Sequence, residues 1–158
     1  MGICGGFQML GQTILDPGHV ESDESEYRGL DLLDIQTTMI GEKKLKRVET
    51  LFKGYSGTVS GYEIHHGKTD IGLCDVIMEQ DSRVLGAGNR SVWGTYLHGL
   101  FDDDYFRRHF INGLRIKKEW PVIEKVTPYD LEPSFKKLAA TVRSSLSMNS
   151  LYKIMKCN

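Results

Sequence analysis

Apolar residues recur along the chain at helical spacing, then in short blocks, then at helical spacing again. Phe7, Leu10 and Ile14 fall at i, i+3 and i+7 and predict a helix after Gly6, stopped by the turn residues Asp16-Pro17-Gly18. The polar, acid-rich stretch from Glu21 to Arg28 predicts a surface loop. From Leu30 to Ser91 the pattern shortens. Thr58-Val59-Ser60, Tyr62-Glu63-Ile64 and Val76-Ile77-Met78 are bounded by Gly, Asp or charged residues and predict strands. Val92 to Leu97 predicts one more strand, ending at His98-Gly99. Asp102-Asp103 then offers an N-cap to a helix that Phe106, Phe110 and Leu114 carry to about Lys117. Pro121 to Pro133 predicts a loop, and Phe135, Leu138, Val142 and Leu146 one face of a last helix, continued by Leu151 and Met155. Helices flanking a run of strands predict an α/β or α+β class, and the order of elements does not choose between them.

At 158 residues the chain matches about one average domain. A domain of that size buries about 70% of its unfolded surface and needs no disulfide or metal staple. Its 40% apolar and 26% charged residues exclude a disordered tail. No apolar run approaches the roughly 20 residues of a membrane span, and Met1-Gly2-Ile3-Cys4 lacks the pattern of a signal peptide. Twenty Lys and Arg against 21 Asp and Glu give a formal charge of −1, which removes the electrostatic warrant for nucleic-acid binding. The basic cluster from Lys43 to Arg47 therefore reads as a solvated edge or loop. Cysteines at 4, 74 and 157 form neither a disulfide framework nor a CxxC site, so a reducing cytoplasm is the simplest location.

Cys4 carries the first candidate chemistry. It lies between a short apolar stub and a helix, inside Gly2-Ile3-Cys4-Gly5-Gly6. A nucleophile on a tight strand-to-helix turn needs small neighbours, because side chains there would clash. The turn sets the thiol at a helix N-terminus, where the dipole favours thiolate, and aims the Gly5 N–H where an oxyanion would form. A buried cysteine in a glycine-rich turn fits the same residues. His65 and His66 stand at the end of one predicted strand, and His98 where another meets a loop. A cysteine with a distant histidine suits attack on a carbonyl, the histidine taking the thiol proton and returning it to the leaving amine. His98 alone also fits a structural histidine. Zinc on Cys4, His65 and His66 lacks metal-ligand spacing.

The stretch from Gly2 to Gln8 resembles the nucleophile motif of class I, triad-type glutamine amidotransferases. Gly61-Tyr62-Glu63-Ile64-His65-His66-Gly67 and Gly94-Thr95-Tyr96-Leu97-His98-Gly99-Leu100-Phe101-Asp102 narrow the resemblance to the cobyric acid synthase branch. Asp16-Pro17, Val20-Glu21-Ser22, Phe106-Arg107-Arg108 and Leu114-Arg115 fit the same branch, so the likeness runs over essentially the whole chain. The resemblance implies a flavodoxin-like α/β fold with Cys4 as nucleophile, His98 as general base and acid, and Gly5 as oxyanion-hole donor. It implies Gln8, Tyr62, Glu63 and His65 as substrate-binding residues, and no metal. L-glutamine would be the substrate. The ammonia would pass to a synthetase domain that uses ATP and Mg to amidate adenosylcobyrinic acid a,c-diamide, so no cofactor is expected in this chain.

Two departures qualify the resemblance. Leu100 stands where many class I members carry a Glu two residues after the histidine; the cobyric acid branch lacks that Glu too, and Asp102 is the weak candidate left to orient His98. The nucleophile also lies three residues after Met1, and no phosphate-binding Gly-rich Lys-Ser/Thr loop occurs. Residues 1–158 are therefore expected to form the C-terminal part of an amidotransferase domain, from nucleophile elbow to last helix, truncated on its N-terminal side and weakly active or inactive alone. The related lipid II and cobyrinic acid a,c-diamide amidotransferases, a cysteine hydrolase of similar fold, and a non-catalytic fragment are the alternatives.

Overall fold

The computed structural model describes residues 1–89 and 91–155, with Lys44 described in its backbone only. The first strand, β1 (Gly2–Ile3), turns at Cys4 into a short helix, α1 (Gly5–Met9). Strands β2 (Thr13–Leu15), β3 (Glu26–Arg28), β4 (Ile35–Thr38) and β5 (Lys44–Leu51) follow. Next come β6 (Thr58–His65), β7 (Lys68–Ile71), β8 (Asp75–Gln80) and β9 (Arg83–Gly88). Two very short strands, β10 (Trp93–Thr95) and β11 (Leu97–His98), lead into α2 (Asp104–Lys117). The strands form three sheets ordered β1-β10-β9-β8, β11-β6-β5 and β3-β2-β4-β7. Only the β1–β10 and β2–β4 pairs are parallel among the described residues. The class is mixed α/β, as expected.

The predicted strand from Val92 to Leu97 is two strands. β10 pairs with β9 in one sheet and β11 pairs with β6 in another, so the chain changes sheets at Tyr96. Its hinge is stabilised from both sides: Tyr96 N–H donates to Leu85 O at 2.8 Å, and Leu97 N–H to Thr95 Oγ1 at 2.9 Å. Two apolar clusters flank this crossing. One gathers Val48, Val59, Met78, Leu85, Leu97, Leu100 and Phe106; the other gathers Phe7, Leu10, Leu33, Ile35, Ala87 and Tyr96.

Two local expectations are corrected. The helix after Gly6 ends at Met9, and Ile14 lies on β2 rather than on a continued helical face. Gly11 lies against Ile35, where a Cβ would come within 2.6 Å of the Ile35 carbonyl oxygen, and β2 pairs with both β3 and β4. Sheet pairing outweighs a helical period carried by three residues. Similarly, Glu26–Arg28 is β3 and not loop, recruited by β2 although all three residues are exposed.

α2 forms as its pattern predicts. Asp103 is the N-cap, its carboxylate accepting from Phe106 N–H at 2.6 Å, and Phe106 is fully buried. The described residues from Thr127 onward form a separate unit. Its helices α3 (Glu132–Ser145) and α4 (Met148–Ile154) break the predicted continuous helix, because Leu146 is extended. Neither contains a buried residue. Among the described residues no helix is long and apolar enough to cross a membrane.

Candidate functional site

Cys4 has φ 54° and ψ −117°, a left-handed conformation that non-glycine residues rarely adopt and that costs on the order of 1–3 kcal/mol. The surrounding structure holds it there. Gly2 and Ile3 pair with Gly94 and Thr95, and Cys4 N–H donates to Thr95 O at 2.8 Å. Phe7 and Gln8 return their N–H groups to Cys4 O at 2.9 and 3.1 Å. The elbow is thus tied to β10 by backbone pairing at Gly2, Ile3 and Cys4. The demand for small neighbours falls on Gly2, where a Cβ would lie 2.3 Å from Gly6 O, and on Gly94, where it would lie 2.3 Å from the Phe7 ring. At Gly5 and Gly6 a Cβ meets nothing within 4 Å, so the expected clash is absent there.

The elbow opens on a cavity of about 250 Å³. Cys4, Gly5 and Gln8 line one side; Ile64, His65, His66 and His98 line another; Glu21 and Lys43 complete the wall. Cys4 and His98 thus line one cavity although they hang from different sheets, Cys4 after β1 and His98 on β11. Gly61 permits the approach, since a Cβ there would lie 2.1 Å from His98 O. Cys4 Sγ donates to Ile64 O at 3.3 Å. His98 Nε2 is buried and has no hydrogen-bond partner among the described residues. Gly5 N–H likewise has no protein acceptor among the described residues. Gln8 Nε2 donates to His66 O at 3.0 Å, tying α1 to the end of β6.

Behind His65 lies a buried polar network. Its Nε2 meets Glu63 Oε1 at 2.9 Å, and Arg83 NH1 donates to Glu63 Oε2 at 2.5 Å. The Glu63 side chain is 2% exposed. Burial pushes its carboxyl up, but the hydrogen bonds and charges of His65 and Arg83 outweigh this and hold it below the usual range. The His65 ring stacks on Tyr96, with centroids 3.6 Å apart. Burial pushes the Tyr96 phenol up, and its hydroxyl hydrogen-bonds Thr69.

A second device sets Glu21 at the cavity. The buried Asp16 carboxylate accepts from the N–H groups of Val20 (2.7 Å), Glu21 (2.9 Å) and Ser22 (3.0 Å), and from Ser22 Oγ at 3.0 Å. These bonds, led by Glu21 and Val20, hold the Asp16 carboxyl below its ordinary value.

Five of the residues singled out from sequence therefore share the cavity: Cys4, Gly5, Gln8, His65 and His98. Glu63 lies behind it, reaching the wall through His65. Tyr62 points to the opposite face of β6, beside Arg47, Gly99 and Asp102. Strand alternation carries this signal, since the side chains of Tyr62 and Glu63 point to opposite faces of β6, one exposed and one buried. Arg83 and Lys43 were missed, because nothing local marks Arg83 and Lys43 sits in an ordinary basic cluster. Lys43 enters the cavity wall while Lys46 and Arg47 continue along edge strand β5; the Lys44 side chain lies outside the described residues, as does Cys157. Cys74 makes one long contact, Sγ to Asp34 O at 3.8 Å. Among the described residues no group of three or more His, Cys, Asp or Glu could hold a metal ion.

Comparison with known proteins adds the family. The adenosylcobalamin biosynthesis bifunctional protein CobDQ of Leptospira interrogans is 44% identical over 97% of this chain, which spans 18% of that protein. Cobyric acid synthases of Carboxydothermus hydrogenoformans and Thermoanaerobacter sp. are 38% and 37% identical over 98% of the chain. The chain spans 33% and 35% of their lengths. A crystal structure of a glutamine amidotransferase, 14% identical, aligns with a TM-score of 0.49 over 72% of this chain and 58% of that one. The profile of the CobB/CobQ-like glutamine amidotransferase domain matches residues 1–106, a stretch that contains every residue of the cavity wall. The chain belongs to that family.

Proposed function

We propose that this chain hydrolyses L-glutamine at Cys4 and delivers the ammonia for amidation of adenosylcobyrinic acid a,c-diamide in cobalamin biosynthesis. The observation that carries the chemistry is the shared cavity, lined both by a thiol on a strained elbow and by His98, whose buried Nε2 lacks a partner among the described residues. His98 takes the thiol proton as Sγ attacks the carboxamide carbon, and Gly5 N–H donates to the developing oxyanion. The C–N bond breaks with the proton on His98 transferred to the departing nitrogen, leaving a glutamyl thioester and ammonia. Water then attacks the thioester, giving a proton to His98; the C–S bond breaks, glutamate leaves and the proton returns to sulfur.

Gln8 and His65 contact the substrate in this reading, Glu63 acts behind His65, and Tyr62 serves the adjoining face of the strand. The destination of the ammonia rests on the relatives named cobyric acid synthase, of which this chain spans about a third. A synthetase domain would activate the corrinoid carboxylates with ATP and Mg. The test is peptide mapping of the full-length protein after limiting 6-diazo-5-oxo-norleucine. Labelling is expected at Cys4, with glutamate release lost in parallel. Preferential labelling at Cys74 or Cys157 would overturn the assignment.

A further inference from the structure

Among the described residues Glu21 is the only carboxylate, and Lys43 the only ammonium or guanidinium, on the wall of the thiol cavity. They come from separate segments, each pinned to the body of the site. Glu21 follows β2 in the turn whose N–H groups Asp16 collects, its own included at 2.9 Å. Lys43 directly precedes β5, which begins with Lys44 paired to His65. The segment leading to it is tied to the end of β6, where His66 Nδ1–H donates to Ile40 O at 3.2 Å. Among the described residues neither Glu21 nor Lys43 takes part in an ion pair, with the other or with any third group.

We propose that Glu21 and Lys43 are specificity-determining residues that bind the head group of a free α-amino acid, Glu21 taking its α-ammonium and Lys43 its α-carboxylate. Such a head group carries both charges on one carbon, so it satisfies two opposite and unpaired side chains at once. The size of the cavity agrees. Its volume of about 250 Å³ falls short of the roughly 300–1,000 Å³ typical of larger ligands and suits a small metabolite. With the head group held by this pair, the side-chain carboxamide is left for Cys4. A glutamine inside a peptide carries neither charge, so the pair admits the free amino acid and rejects the same side chain on a protein.

The expected effect follows from the setting. Both residues are exposed, so each contact acts on the scale of a surface ion pair, and losing it weakens binding about fivefold. The head group does not change as the carboxamide is attacked, so it is held equally in the ground and transition states. Its loss therefore appears in KM and not in kcat.

The inference rests on the glutaminase reading, and its test separates the two. Glutamate release from glutamine is measured in the full-length protein and in its Glu21→Gln and Lys43→Gln variants. Two analogues serve as competitors: glutaramate, which lacks the α-ammonium, and 4-aminobutanamide, which lacks the α-carboxylate. Each variant is expected to raise KM for glutamine about fivefold and to leave kcat within about twofold of the parent. Lys43→Gln is expected to weaken glutaramate by the same factor and to leave 4-aminobutanamide unchanged; Glu21→Gln is expected to do the reverse. A KM within about twofold of the parent in either variant would overturn the proposal. So would a fall in kcat as large as the rise in KM, or equal weakening of both analogues, which a purely structural role would produce. Failure of either analogue to compete in the parent would overturn it too, since each keeps one of the two matched charges. An unmutated protein that releases no glutamate would instead strike the glutaminase reading, and this inference with it.

Discussion

The two halves of the thiol cavity are built by different physics. The Cys4 half is held by backbone pairing and by glycines: β1 against β10, Cys4 N–H on Thr95 O, and Gly2 and Gly94 where a Cβ would lie 2.3 Å from its neighbours. The β6–β11 half is held by buried charge, through Arg83, Glu63 and His65 with Tyr96 stacked beneath. One half has no room for added volume at Gly2 and Gly94, and the other buries a carboxylate that needs its cationic partner. A strained φ of 54° survives where packing over-determines it; a buried carboxylate survives where two donors satisfy it.

The largest expected effects come from taking one proposed reacting group from each half. Cys4→Ser should abolish glutamate release, and His98→Ala should lower it at least 10²-fold, the usual worth of a general base. Amidation from added ammonia in the full-length protein should remain largely intact, because in the proposed reaction the thiol serves only to make ammonia. Retention of more than about a tenth of glutamine-dependent turnover in His98→Ala would break the symmetry of the two halves.

Charge on the β6 side comes next. Glu63→Ala leaves Arg83 and His65 without their shared acceptor, and breaking such a pair costs about 3 kcal/mol or more. Urea unfolding of this variant, compared with the parent at constant m-value, measures the loss. On the elbow side, Gly2→Ala forces a methyl into the Gly6 carbonyl and should cost about 1–3 kcal/mol, with a further loss in turnover as Cys4 is displaced. Full activity in Gly2→Ala would show that the elbow can shift without penalty.

Two smaller effects sharpen the contrast. Asp16 has its carboxyl held below the ordinary value in the folded chain. Its stabilisation of the 19–22 turn is therefore present above the unfolded value near 3.8 and lost as pH falls through the lower folded value. Amide exchange at Val20, Glu21 and Ser22 should lose its protection over that acid range, and Asp16→Asn should lower protection at pH 7 already. Gly6→Ala should be the mildest change, neutral or stabilising by up to about 1 kcal/mol, because Ala favours helix and nothing lies within 4 Å of the new Cβ. A loss of stability in Gly6→Ala would mean that the whole elbow, and not only Gly2, is closely packed.

What was legible from the sequence is what short-range chemistry determines. The helix after Asp102-Asp103 carries its own cap and its own period, so α2 was readable with its boundaries. The glycine-flanked thiol and the histidine at a strand end were readable as chemistry, because residue type and local turn demand are properties of a few neighbours. Ile14 was misassigned to the first helix because its partners on β3 and β4 lie outside the window in which a period is counted. Only the tertiary structure decided that the run from Val92 to Leu97 divides at Tyr96 between two sheets, which brings His98 into the cavity that Cys4 lines. It alone decided that Arg83, twenty residues beyond Glu63, supplies the missing charge across that junction. Pairings between distant strands are selected by the energy of the assembled sheets, and no stretch of the chain read by itself contains that energy.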